Sequence, residues 1–228
     1  MVFTTSVIGP EGNDNNGLIN PTGAGGYENP YNFDSLVALV IPSSVTSLDN
    51  YDVHGFMDDC DGLVAVSIPN SVTFMAGDAF RFCDALTSII IPRSVSNINA
   101  NRYTFRGCTD LTTIIVDPNN ATYDSRGGCN AIITKININE NLPENTLIYG
   151  CNGTTIIPST VTKIYDVAFV ERSGLTSVIF ENPNGWSYSS NRNMSSPTAL
   201  SASNLANPSI AATYLTDTYC MKYWARSD

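Results

Sequence analysis

From Leu63 to Asp110 the apolar and polar positions form one pattern written twice. Each half reads L-x-x-[VI]-x-I-P-x-S-V-[TS], then a polar patch, then x-F-R-[FG]-C. Self-similarity at a period in the twenties predicts stacked coils, each too small to bury its apolar face alone, so neighbours supply the rest of the core. The strand-like run recurs as LVALVIP, LVAVSIP, LTSIIIP, LTTIIVDP, GTTIIP and LTSVIFENP, more copies than the roughly three a stable stack requires. Within a run the apolar residues alternate: Leu86, Ile89 and Ile91 are expected to face inward while Thr87 and Ser88 turn outward, the behaviour of a short strand. Pro42, Pro69, Pro92 and Pro158 stop the run, because proline cannot donate to a strand ladder. A second alternating run follows each proline (SVTSL, SVTFM, SVSNI, TVTKI). Next comes an aromatic anchor (Phe56, Phe80, Phe105 or Phe169), then Cys60, Cys83 or Cys108, or Ser173 in the last copy.

The flanks read differently. Residues 1–34 are rich in Gly, Asn and Pro without sustained periodicity, which predicts an extended N-terminal arm. It is either a loose tail or cover for the first coil, or a segment that docks on a partner. The repeats fill 35–183. Residues 184–206 lose the periodicity, after which Asn207 and Pro208 suit the N-cap and first position of a helix over about 208–226. A stack with a bare strand edge would pair with other chains, so this helix is expected to cap the last coil. On it, Ile210, Tyr214, Met221 and Trp224 fall on one side, and Ala211, Leu215, Tyr219 and Tyr223 on nearly the opposite side. One stripe covers the last coil. The other calls for the chain's own segment from Trp186 to Leu205, or for self-association or docking through the helix.

The fullest copy, IPNSVTFMAGDAFRFCDAL, follows I-P-x-S-V-T-x-I-x-x-x-A-F-x-x-C-x-x-L. It resembles the BspA-like leucine-rich repeats of bacterial and protist surface proteins, and the likeness covers residues 36–183. The resemblance implies an all-β-dominated leucine-rich-repeat solenoid of stacked short strands with a C-terminal capping helix. It also implies a surface-displayed recognition or adhesion module. The stretch VDPNNATYDSRGGCNAIITK…NTLIYGCNGTTIIP, at 117–154, looks like an insertion typical of that family: a hairpin-like detour that re-enters the strand motif at Thr155.

Composition narrows the partners. Apolar content of 43% is ample for a core, whereas charged content of 14% leaves the polar surface to Asn, Ser, Thr and Tyr, as suits the outside of a cell or particle. A net charge of -10 argues against nucleic acid, whose affinity rests on Lys and Arg neutralising phosphates. No apolar run approaches the roughly 18 residues that span a bilayer, and residues 1–30 show neither a basic nor a continuous apolar leader region. The expected location is extracellular or at the cell surface, with a leader removed, or alternatively on a virion surface, reached without one. Of six cysteines, Cys60, Cys83 and Cys108 recur at one place in the repeat, so they are expected as a ladder of small buried thiols and not as disulfides. Cys129, Cys151 and Cys220 lie outside it, and pairing of the first two stays open.

Catalytic and metal-binding constellations are missing. His54 is the one histidine, without the base, orienter and nucleophile of a triad. Zinc would need further histidines or a C-x-x-C pair. EGNDNNG lacks the glutamate that closes a calcium loop, and TGAGGY lacks the lysine of a phosphate loop. Asp58 with Asp59, and Glu140 with Glu144, are expected on solvated turns, and the sequons at Asn120, Asn152 and Asn193 follow from a chain rich in Asn, Ser and Thr. Neither an enzyme nor a cofactor is expected.

Repeat length is the informative variable. Leu36 to Leu63 is 27 residues, Leu63 to Leu86 is 23 and Leu86 to Leu111 is 25, the excess falling in DNYDVHG and NANRYT. Insertions in stacked repeats collect on one face, often the binding face, and Tyr with Asn, Asp and Arg suits a recognition loop. The candidate ligand-binding residues are therefore Asn50, Tyr51, His54, Asn101, Arg102 and Tyr103, expected close together on neighbouring coils. The function expected is non-enzymatic recognition or adhesion. It would bind protein or glycan on a host or neighbouring cell surface through a broad repeat face, without membrane insertion. The alternative is a structural or decorating component of a bacteriophage virion with a host-attachment role.

Overall fold

The repeated proline is where each coil turns. In the computed structural model, which describes residues 6–7, 36–48, 57–99, 104–138 and 142–227, Val45, Val72, Val95 and Val161 each donate to the carbonyl of the proline three residues earlier, at 2.9–3.2 Å. Proline's fixed φ suits the turn, and the N–H it lacks is not needed there. A second turn is closed by Leu63, Leu86, Leu111 and Leu175, whose N–H groups donate to the carbonyls of Cys60, Cys83, Cys108 and Arg172 at 3.0–3.2 Å. Arg172, not Ser173, thus holds the cysteine position of the last copy. The residue three before the cysteine is Met57, Phe80 or Phe105, so the first coil's buried anchor is Met57; Phe56 lies outside the described residues.

The chain forms a strand-dominated solenoid with a short C-terminal helix, and its backbone divides into two units, Met1–Leu111 and Thr112–Asp228. The first carries β1 (Ser6–Val7), β2 (Ala38–Val40), β3 (Ser47–Leu48), β4 (Ala65–Ser67), β5 (Phe74–Met75), β6 (Ser88–Ile91) and β7 (Asn97–Ile98). Strand β2 runs parallel to β4, with Leu39 opposite Val66, and β1 adds parallel to β2. A second parallel sheet has the order β3-β5-β7. A third side is made by N–H groups of Met57 and Phe80 donating to the carbonyls of Ala79 and Thr104, at 2.8 and 2.9 Å. Leu86, Ile89 and Ile91 are buried and Thr87 and Ser88 exposed, as the alternation predicts. The serine of the motif ties each coil to the one before, Ser71 Oγ donating to Val45 O at 2.7 Å and Ser94 Oγ to Val72 O at 2.6 Å.

The residue before the cysteine position is left-handed in every described copy: Asp59, Phe82 and Glu171 at φ 58°, 54° and 57°, and Gly107 at 74°. That conformation costs a non-glycine residue about 1–2 kcal/mol. At Gly107 there is a second demand, because a Cβ there would lie 2.1 Å from Cδ1 of Phe82. Asp58 and Asp59 do not share a solvated turn. Asp58 is buried and takes a bidentate bond from Arg81 of the next coil, Nε to Oδ1 at 2.8 Å and Nη2 to Oδ2 at 2.5 Å. That bond, more than any other influence, pushes the guanidinium above its ordinary pKa.

All six cysteines are free thiols, and only Cys220 is not buried. The ladder is real: Cys83 Sγ donates to Met57 O at 3.1 Å and Cys108 Sγ to Phe80 O at 3.0 Å, each reaching the same place in the preceding coil. The adjacent Cys60 thiol, then burial, push Cys83 well above the ordinary thiol range, and burial pushes Cys129 to about 11. Since the thiolate is the reactive form, native protein at neutral pH should react with a thiol reagent at Cys220 alone, and denatured protein at all six. Rapid native labelling of the ladder, or fewer than six thiols after denaturation, would contradict this assignment.

The C-terminal unit begins with β8 (Thr113–Val116). The detour after it holds β9 (Tyr123–Asp124), β10 (Ala131–Thr134) and β11 (Thr146–Gly150), three antiparallel neighbours rather than a simple hairpin. Asn120 is buried there, its Oδ1 accepting from the N–H groups of Thr122 and Tyr123, so this sequon serves a turn. Strand β11 then pairs parallel with β13 (Lys163–Ile164), while β12 (Thr155–Ile157) pairs parallel with β14 (Val178–Phe180). After β15 (Trp186–Ser189), β16 (Thr198–Ala199) and α1 (Ala202–Leu205), helix α2 (Pro208–Thr213) packs on β14. Its N-cap is Asn207, whose Oδ1 accepts from Ser209 and Ile210 N–H. Asn207→Ala should cost about 1 kcal/mol in a chemical melt; no change would mean the helix is held by packing alone.

The helix does not run to residue 226. It ends in one π-turn, Tyr214–Thr218, and Tyr223–Arg226 is a strand, β17, paired antiparallel with both β13 and β15. Pairing on two sides outweighs helical propensity here. The alternation of period two, with Trp224 buried between half-buried Tyr223 and Ala225, replaces the two helical stripes. The chain's own segment meets part of the aromatic surplus, Tyr188 of β15 stacking on Tyr219 at 4.1 Å, while Tyr219 meets Tyr214 edge-on at 4.8 Å and Met221 stays exposed.

Candidate binding surfaces

Two surfaces have the makings of a site. The first is the outward face of the strands in the N-terminal unit. Because Leu36, Leu39 and Ile41 point inward, positions between them point out, and the repeat places Val37 level with Val64 and Val40 level with Ser67 and Ile90. Ile90 is 58% exposed and Val40 43%. Lone exposed aliphatic residues are ordinary, but several on the same face of successive coils are the kind of patch that marks an interaction site. The surrounding positions, Ala65, Ser67, Thr87 and Ser88, are exposed, small and uncharged, so the face is flat and carries no charge barrier.

The second is a cleft of about 820 Å³ in the C-terminal unit, floored by β13 and β17 and walled by residues 191–194. Arg192 stands at its centre. Its Nη2 donates to Tyr165 OH at 2.8 Å and its Nε to Tyr223 OH at 3.3 Å. The guanidinium carbon also lies 5.5 and 5.6 Å from the two ring centroids, within cation–π range. The rings meet edge-on at 5.9 Å. Burial pushes the Tyr165 hydroxyl up to about 12, with Arg192 pulling the other way, so it stays protonated at physiological pH. The bond to Tyr223 raises the Arg192 pKa further. Lys163 shares the lining, with Thr146, Asn191 and Asn193 as neutral polar groups.

Residues 27–154, more than half of the chain, match the BspA type leucine rich repeat region in six copies. The chain belongs to this family. No curated protein matches it. Among solved structures it is similar to a leucine rich cell surface protein from Faecalibacterium prausnitzii, at 29% identity and TM-score 0.48 over 63% of this chain and 35% of that one. It is also similar to the pneumococcal vaccine antigen PcpA, at 17% identity and TM-score 0.46 over 64% and 34%. A leucine-rich repeat protein from Eubacterium ventriosum matches at 17% and TM-score 0.32 over 64% and 48%. The chain thus spans between about a third and a half of these proteins' length.

In this BspA-type chain the residues singled out from repeat length, Asn50, Tyr51, His54, Asn101, Arg102 and Tyr103, all lie outside the described residues. The cleft escaped sequence reading because Tyr165, Arg192 and Tyr223 come from three separate segments. The sequence holds one signal of it: Arg192 is the sole charged residue between Asn184 and Ala206. Among the described residues no group of three or more His, Cys, Asp or Glu is placed to hold a metal ion, and no helix is long and apolar enough to cross a membrane.

Proposed function

We propose that the chain is a non-enzymatic recognition or adhesion module, displayed extracellularly or at a cell surface, that binds protein or glycan through the outward strand face of its repeats. The observation that supports this most is the set of exposed Val37, Val40 and Val64 on or just before the paired strands β2 and β4, with exposed Ile90 at the matching place of the next coil. Such a face is held rigid without help from a ligand, so little ordering entropy is lost on binding. Membership of a family of surface repeat proteins agrees with it, and a broad face suits a macromolecule better than a small substrate. The sequence insertions carrying Asn50, Tyr51, His54, Asn101, Arg102 and Tyr103 are part of the proposal, as polar contacts to the partner. Beads coated with the chain should attach saturably to at least one member of a panel of immobilised matrix proteins, mucin and envelope polysaccharides. Attachment no better than beads coated with albumin, across the whole panel, would set the proposal aside.

A further inference from the structure

We propose that the cleft on β13 and β17 binds an acidic saccharide, with Arg192 and Lys163 taking its carboxylate. This site stands apart from the strand-face reading and does not depend on it. Its size, about 820 Å³, falls within the range of roughly 300–1,000 Å³ typical of small-ligand sites. Its charge sets it apart from the rest of the chain. The chain carries a net charge of -10, yet the residues lining the cleft include two cations, Lys163 and Arg192, and no carboxylate. One acidic group, Asp166, lies near enough to push the pKa of both Tyr223 and Arg192 up. A positive island on an acidic protein gathers anions.

The cleft is also preorganised. A surface arginine ordinarily loses rotamer freedom when it binds, but Arg192 is held by two tyrosine hydroxyls and lies against both rings. Its Nε and Nη2 already donate to the tyrosines, so it would act on a carboxylate as a fixed positive charge, with much of the ordering cost met within the fold. Strand pairing then separates a sugar from a peptide. Strand β13 is paired on both sides, by β11 and β17, and β17 by β13 and β15, so the floor offers no free edge for strand addition. Ile164 and Trp224 are buried, so only Met194 and Ala225 leave apolar surface in the lining, little for a peptide's apolar anchor. What remains is the exposed Asn191 and Asn193 with the half-buried Met194 and Tyr223 around the two cations, a set of amide and ring groups that suits the hydroxyls and flat face of a pyranose.

The test uses the full chain with sialyllactose and a galacturonic acid trisaccharide as acidic probes and lactose as the neutral one, read by calorimetry. At least one acidic probe should bind about tenfold or more tighter than lactose, with the advantage shrinking as salt rises. Arg192→Gln and Lys163→Gln should each weaken that binding about tenfold while the melting temperature holds. Ile90→Glu, in the N-terminal unit, should leave it unchanged. Equal binding of acidic and neutral sugars, no binding of either acidic probe at millimolar concentration, or full retention in the folded Arg192→Gln and Lys163→Gln variants would each overturn the proposal.

Discussion

Phe80→Ala is expected to destabilise the N-terminal unit by about 3–5 kcal/mol, the range for emptying a fully buried aromatic site. The ring is entirely buried and lies parallel to that of Phe105, with centroids 6.0 Å apart. Its backbone is a joint as well: the N–H donates to Thr104 O, and the carbonyl takes the Cys108 thiol. In a stacked array each coil is braced by its neighbours alone, so the void cannot be filled from farther away. Urea melts followed by circular dichroism will read the loss. Phe105→Ala should cost as much, and the double variant should fall short of the sum by about 0.5–1.5 kcal/mol, the coupling expected of an aromatic pair. A loss below about 1 kcal/mol for Phe80→Ala would mean that the anchors do not bear the stack.

Trp224→Ala should cost the C-terminal unit about as much, some 3–5 kcal/mol. Trp224 is buried, stacks on Phe180 at 6.3 Å, and donates Nε1–H to Tyr219 O at 3.4 Å. Trp186 meets the same Phe180 edge-on at 5.3 Å. The two indoles thus close over β14, which would otherwise leave Phe180 in water. They are the chain's only tryptophans, so fluorescence reports on this unit alone. In the variant, the Trp186 emission should shift red at a lower denaturant concentration than in the parent. An unchanged midpoint would show that β17 is held by its strand partners and not by its indole.

The parts of the fold legible in the sequence were those written many times. Leu, Val, Ile and Pro at fixed spacing announced the strands and turns, and a cysteine recurring at one position announced a column of thiols, because a place repeated in every coil meets the same surroundings in every coil. Where a position occurs once, the pattern misled. Arg172 replaces a cysteine and sends Nε to Gly150 O at 3.1 Å, yet Ser173 beside it is the nearer chemical match. Tyr223–Arg226 suits a helix by its neighbours in sequence and a strand by its neighbours in space. Asp58 looked like a surface carboxylate, since its partner Arg81 stands one coil away. The cleft was invisible for the same reason: its polar groups converge from segments that share no motif.

If the outward strand face of the repeats is the recognition surface, charge placed on it should abolish attachment without unfolding the chain. The most direct measurement is attachment of coated beads to whichever immobilised protein or glycan the parent chain binds, with Val40→Glu and Ile90→Glu combined in one chain. Both side chains are exposed, so the melting temperature should stay within a few degrees of the parent's, as for ordinary surface changes. Attachment should fall about tenfold or more, since two carboxylates would have to be desolvated against the partner. Folded protein with parental melting behaviour and undiminished attachment would contradict the account.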